Sequence, residues 1–337
     1  MKLVADRLMS GRSPVSTLYL GGGTPSLLSP TSLSKILKES REYFPWKGDI
    51  EVTLEANPGT VDLAKLRAFK DSGVNRLSLG AQSFNERLLK AMGRVHTSSD
   101  INDAVSTARK AGFTNLNLDL IYGLPGQDLE TWEDTLEAAI SLSPEHISIY
   151  CLELDERTPW GQEFLAGRLP LPGEDLVLAM YYAARAQLEA AGYRQYEISN
   201  FSRPGYECRH NIIYWENGFY LGLGVAAASH YRHCRWENPG NLEAYQEAVF
   251  SGRLPRQNLV NLSLREEMAE TMFMGLRLIS GVDLAAFYRR FKVDALEEYG
   301  ASISKLKSLG LLKYNDGRLA LTAKGLPLAN VVFREFI

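Results

Sequence analysis

Cysteine is scarce in this sequence, with three among 337 residues, at positions 151, 208 and 234. Three scattered thiols make no disulfide framework, and a reducing, cytoplasmic setting is the expectation. Long apolar runs are missing too. No stretch of about 18 hydrophobic residues is available to span a bilayer, and Met1-Lys2-Leu3-Val4-Ala5-Asp6-Arg7 lacks the apolar core of a secretory signal. Neither sign of charge is in excess: 37 Lys and Arg face 40 Asp and Glu, a net charge of -3. Electrostatically driven binding to nucleic acid or to a membrane surface is thereby excluded as the default. What remains is ordinary globular composition, 45% hydrophobic and 23% charged, at a length suited to two domains.

The first half alternates. Runs rich in Val, Ile and Leu at 15–20, 50–54, 76–79, 116–122 and 146–154 are separated by segments of helical spacing, such as Leu63, Leu66 and Phe69. Ser72-Gly73-Val74, Ala111-Gly112-Phe113 and Ala191-Gly192-Tyr193 each place a glycine where a helix stops and a strand begins, because left-handed backbone costs glycine no Cβ clash. Strand, helix, glycine, strand predicts a parallel sheet with crossover helices, as a barrel or a doubly wound fold.

Polar or glycine-containing groups follow the strand ends: Gly21-Gly22-Gly23-Thr24-Pro25, Glu55-Ala56-Asn57-Pro58, Gln82-Ser83, Asp119 with Tyr122-Gly123-Leu124-Pro125, and Glu153. Singly these are turn chemistry. Five in successive units point to one site at the carboxyl edge of the sheet, where α/β folds bind ligands. The triple glycine fits neither a dinucleotide fingerprint, since the sixth position from Gly21 is Ser26, nor a P-loop, since Thr24-Pro25 stands where Gly-Lys-Ser/Thr is needed. It is either a tight turn or bare backbone facing a ligand. Arg94 and His96, ahead of an N-cap cluster at 97–100, read by themselves as a solvated loop.

Residues 173–191 read as an amphipathic helix. A less regular stretch from about 194 to 260 holds His210, His230 and His233 between Cys208 and Cys234. The paired spacing of a structural zinc site is missing there. A haem ligand beside Asn211-Ile212-Ile213-Tyr214-Trp215, or a half-buried loop histidine against an aromatic patch, are the other readings. No nucleophile motif appears, and Cys151 reads as an inert thiol buried in a strand. From about 263 helices dominate, with a helix near 294–309 and then Asn315-Asp316-Gly317 between two apolar runs, a hairpin signal. This predicts a winged-helix-like domain. Its 11 Lys and Arg against 9 Asp and Glu over 263–337 are too balanced to track a phosphate backbone.

Leu20-Gly21-Gly22-Gly23-Thr24-Pro25-Ser26, Glu55-Ala56-Asn57-Pro58, Gly80-Ala81-Gln82-Ser83, Asp119-Leu120-Ile121-Tyr122-Gly123-Leu124-Pro125 and His210-Asn211-Ile212-Ile213-Tyr214-Trp215, in this order, resemble the HemW family of haem chaperones. That family lies in the radical S-adenosylmethionine (SAM) superfamily, close to the oxygen-independent coproporphyrinogen III dehydrogenase HemN. The resemblance runs from about residue 15 to the C-terminus and includes the stretch 319–325. It implies a partial (β/α) barrel over 1–200, a connecting region over 201–262 and a HemN-type winged-helix-like domain over 263–337. It also implies that backbone at Gly22, Gly23 and Thr24 holds the amino group of SAM, that Glu55, Gln82, Arg94 and Asp119 contact the rest of it, and that His210 ligates haem iron. An acceptor protein for the haem is the implied partner.

One departure is large. The family's Cys-x-x-x-Cys-x-x-Cys loop, which holds a 4Fe–4S cluster, has no counterpart in this sequence. The barrel is therefore expected to be N-terminally truncated, lacking the first strand, the cluster loop and most of the first helix. Without those thiolates no cluster forms in the family's manner, and radical cleavage of SAM is not expected of the chain as written. Loss of an edge strand is also expected to expose the ladder near 15–20. Haem delivery is the leading expectation, and a radical SAM coproporphyrinogen dehydrogenase the alternative.

Overall fold

The apolar runs form a curled seven-stranded sheet in the computed structural model, which describes residues 1–9 and 14–337. Its strands are β1 (Val15–Leu20), β2 (Trp46–Ala56), β3 (Arg76–Gln82), β4 (Leu116–Tyr122), β5 (His146–Cys151), β6 (Arg194–Gln195) and β7 (Asn200–Ser202). Their order is β1-β2-β3-β4-β5-β7-β6. β2 to β5 pair in parallel, and β7 closes antiparallel on β5. This is a half-barrel of the kind the strand–helix alternation predicts.

Local chemistry sets the crossovers. Helices Leu63–Ser72, Ser98–Lys110 and Leu129–Ser141 start at Asp62, Thr97 and Asp128, whose side chains accept backbone N–H groups that no carbonyl within the helix can reach. Gly73, at φ 116°, ends the first of them in left-handed backbone. Along β3 to β5 the side chains alternate. Leu77, Leu79, Leu116, Leu118, Leu120, Ile147 and Ile149 are at most 2% exposed and form one apolar face. Each contributes about 1.5–3 kcal/mol by leaving water. Arg76, Ser78, Asn117, Asp119, His146, Ser148 and Tyr150 occupy the other face. Strand register brings them side by side, with Ser78 opposite Asn117, Asn117 opposite His146 and Asp119 opposite Ser148.

The chain divides into two compact units. One comprises Thr17–Lys38 and Ile50–Glu207; the other comprises Met1–Ser16, Glu39–Asp49 and Cys208–Ile337. The second unit holds helix Arg209–Trp215 and an antiparallel sheet of β8 (Ala228–Tyr231), β9 (Cys234–Glu237) and β10 (Gln257–Asn261), in the order β10-β9-β8. Beyond them a helical region carries β11 (Val282–Asp283), β12 (Leu312–Asn315) and β13 (Arg318–Leu321). The expected hairpin joins β12 to β13: Asn315 pairs with Arg318, and Asp316 and Gly317 take φ values of 50° and 74°, the two positive angles of a type I′ turn.

Several boundaries differ from expectation. The stretch 194–260 contains short strands and a helix, β2 begins at Trp46, and the helix expected near 294–309 breaks at Tyr299 into Ala295–Glu298 and Gly300–Ser308. Cys151 is not buried within a strand: it is the exposed last residue of β5. Partial desolvation, then Glu153, push its thiol pKa up, so the protonated form is favoured. Among the described residues, no helix is long and apolar enough to cross a membrane.

Candidate functional site

The glycine turn after β1 is fastened by a carboxylate from β2. Glu55 accepts the Tyr19 hydroxyl at 2.7 Å on Oε1 and the Gly22 N–H at 3.0 Å on Oε2. Gly22 and Gly23 have φ values of 80° and 65°, and a Cβ on either would meet nothing within 4 Å. Backbone geometry, not crowding, calls for glycine at those two positions, and the bare backbone lies open. Burial, then the charges of Glu55 and Asp119, raise the Tyr19 hydroxyl far above its ordinary pKa, so it remains a donor.

Neighbouring strands add the rest. The Asn57 amide donates to Thr24 Oγ1 at 3.2 Å, and Arg94 reaches Asn57 Oδ1 at 3.5 Å. At Gly80 a Cβ would stand 2.9 Å from Gln82 Nε2 and 3.1 Å from Asn57 Oδ1; glycine leaves room there for both amides. Burial lowers the Arg94 pKa and the nearby charge of Asp119 opposes that. These contacts join Gly22 to Glu55, and Thr24 to Arg94 through Asn57, with the charge of Asp119 felt at Arg94; Gly23 adjoins the first pair in the chain, and Gln82 ends β3. His96, expected in a solvated loop, is 4% exposed, with its Nε2 3.3 Å from the Ala81 carbonyl oxygen.

Gln82 is the strained member. Its φ is 67°, where a non-glycine residue is disfavoured. The β3–β4 register slips between Leu79 and Gln82, an interruption of the regular ladder at the end of β3. Strain of this kind concentrates at ligand sites. The set offers acceptors for an ammonium and for hydroxyls and one cation for a carboxylate, which together suit a zwitterionic nucleoside. Tyr19, Ser78, Asn117 and His146 also belong to this face. Their signal in the sequence is polarity at every second residue of strands that are otherwise apolar.

The described residues do not fit an iron–sulfur cluster. Nowhere among them do three His, Cys, Asp or Glu side chains gather as metal ligands, and the three cysteines sit at the end of β5, before helix Arg209–Trp215 and in β9. The same finding leaves no zinc site among Cys208, His210, His230, His233 and Cys234.

His210 stands near the start of helix Arg209–Trp215, half-buried, and Tyr214 follows one turn later on the same face. Their Nε2 and hydroxyl are 2.8 Å apart and the rings 4.8 Å apart, edge-on. Tyr214 in turn packs edge-on against Tyr220 at 4.5 Å, and burial, then Tyr220 and Cys208, push its hydroxyl up to about 12. Arg235, paired with Glu270, donates to the Tyr220 hydroxyl at 3.2 Å. Trp215 lies under the Arg277 guanidinium at 4.3 Å. The two other histidines of this region are engaged elsewhere: the His230 Nδ1 faces the Gly218 carbonyl and His233 pairs with Glu267.

A half-barrel with a polar carboxyl edge and a separate hairpin-bearing helical region defines a radical-SAM-type protein. The Radical SAM superfamily profile matches residues 3–139, and that of the HemN C-terminal domain matches residues 262–328. The structure of coproporphyrinogen III oxidase (HemN) from Escherichia coli superposes with a TM-score of 0.83 at 25% identity, covering 99% of this chain and 81% of that one. Heme chaperone HemW of Lactococcus lactis is 40% identical over 325 residues, 95% of this chain and 84% of that protein. HemW of Bacillus subtilis is 35% identical, over 97% of this chain and 87% of that protein. The chain belongs to the HemW family.

Proposed function

We propose that this protein binds haem on helix Arg209–Trp215, hands it to an acceptor protein, and holds SAM at the strand ends of the half-barrel. The observation that carries the reading is His210, half-buried near the start of its helix with its ring oriented by Tyr214, in a chain whose relatives of similar length are named heme chaperones. An imidazole nitrogen is a common axial ligand of haem iron, and a partner that fixes the ring raises the fit of such a ligand. The backbone at Gly22, Gly23 and Thr24 would meet the amino group of SAM. Arg94 would face its carboxylate, and Glu55, Gln82 and Asp119 its remaining polar groups. When bound, SAM supplies an adenosyl group on a sulfonium cation. The residues of the chain bind and orient it: Glu55 keeps the glycine turn in shape, and Arg94 offsets the carboxylate charge. With three cysteines that form no disulfide and a balanced charge, a reducing cytoplasm is the setting this reading assigns, and nucleic acid is not among its partners.

Titration with haem tests the proposal. His210→Ala should weaken binding by at least about tenfold and shift the Soret band, since a lost ligand costs no less than a lost supporting partner. An unchanged band and affinity would overturn it. The structural likeness to coproporphyrinogen III oxidase supports a second reading, porphyrin oxidation. Anaerobic assay with coproporphyrinogen separates the two; no conversion is expected, and turnover would favour the enzyme.

A further inference from the structure

On the polar face of the half-barrel one hydrogen-bond chain has a determined direction. Asp119, as a carboxylate, only accepts. It receives the Ser78 hydroxyl on Oδ2 at 2.9 Å and the Asn117 amide on Oδ1 at 2.9 Å; the same amide donates to Ser78 Oγ at 2.7 Å. The Asn117 nitrogen therefore faces Asp119, and its oxygen must face the other way. There it accepts from Ser148 at 3.1 Å and from His146 Nδ1 at 2.6 Å. His146 is consequently protonated on Nδ1, its Nε2 carries a lone pair, and the Tyr196 hydroxyl, 2.9 Å away, donates to it. Every donor points towards Asp119. Ser78, Asn117, His146 and Ser148 are all at most 3% exposed, so water does not compete, and successive bonds in such a chain polarise one another.

We infer that Asn117 and His146 are positioning residues, which hold the Asp119 carboxylate in one orientation for the adenosyl ligand. This inference rests on the reading that SAM binds at the strand ends. The side chains occupy neighbouring register positions on β3, β4 and β5, so the relay is built into the sheet itself and stands ready before any ligand arrives. Burial, and next the charge of Arg76, hold the His146 pKa well below its ordinary value, in keeping with a neutral ring. The other titratable groups around the relay are Tyr19 from β1, Glu55 from β2, Arg76 from β3, Tyr150 from β5, and Arg94 and Glu197 from loops.

Asn117→Asp in the full chain tests this. The new carboxyl can still accept from His146 and Ser148 but offers Asp119 no N–H. By calorimetry SAM should bind about tenfold more weakly or worse at pH 8, the cost of a lost charge-assisted donor. Two adjacent carboxylates share a proton at lower pH, and the shared proton restores a donor to Asp119. Binding should then recover towards wild type near pH 5.5, while wild type changes little. Ser78→Ala, which cannot regain a donor, should bind several-fold more weakly at both pH values. A purely structural role gives no such recovery. Nitrogen NMR of the wild-type chain supplies a readout independent of SAM: His146 should be neutral with its proton on Nδ1. A proton on Nε2, or an N117D protein that binds like wild type at pH 8, overturns the inference alone. Wild-type protein that binds no SAM overturns the ligand-site reading, and this inference with it.

Discussion

Single residues at the strand ends carry conflicting demands, and Gln82 shows this most clearly. Its left-handed φ of 67° costs a residue with a Cβ about 1 kcal/mol that glycine would not incur. The amide it presents lies beside Gly80 and Asn57. Gln82→Gly should therefore stabilise the fold by about 1 kcal/mol while weakening SAM binding, a split visible as a raised melting temperature together with a lower calorimetric affinity. A variant that loses stability would show that the amide anchors the sheet instead. Residue identity at the strand ends is legible in the sequence, because Glu55 and Gln82 interrupt apolar runs at turn signals, and Asp119 stands in the apolar run that leads to Gly123-Leu124-Pro125. Ser78, Asn117 and His146 are harder to read. They lie inside the strands, and only the knowledge that the second face is a polar interior gives their alternation a meaning.

Among the elements, those specified by short-range chemistry are the ones the sequence discloses. Gly73 ends its helix because left-handed backbone is required there, and Asp316-Gly317 turns the C-terminal hairpin for the same reason. The strands β8 to β10 carry no comparable mark. All five residues of β10 are exposed, so it has no buried face to impose alternation, and its pairing with β9 depends on contacts distant in sequence. Helix Arg209–Trp215 has seven residues, too few for a periodic pattern, so spacing alone favours a loop position for His210. The hairpin turn yields a test at this scale. Gly317→Ala puts a Cβ at φ 74° and should destabilise the C-terminal region by about 1 kcal/mol, measured by urea denaturation, with SAM affinity unchanged. An equally stable variant would mean that the turn tolerates another geometry.

Across the whole molecule, the fate of the histidines links packing to acid sensitivity. Three of the five, His96, His146 and His230, are at most 4% exposed, and burial is the first cause lowering each pKa. In the unfolded chain these rings titrate near about 6.5. As pH falls through that value the unfolded chain takes up protons that the folded chain refuses. The stabilisation is thus present above the unfolded pKa and is lost below it, at up to about 1.4 kcal/mol per pH unit for each histidine. His96 and His146 belong to the half-barrel unit and His230 to the other, so each unit should lose stability on acidification, the half-barrel more steeply. Capped carboxylates such as Asp100 and Asp128 are held below their ordinary values, so their loss falls at lower pH and leaves the window from pH 7 to 5.5 to the histidines. Urea midpoints should decline across that window, and His146→Gln should flatten the half-barrel slope. A midpoint independent of pH there would mean that the folded state accommodates the imidazolium, and with it a protonated His146 in the chain that ends on Asp119.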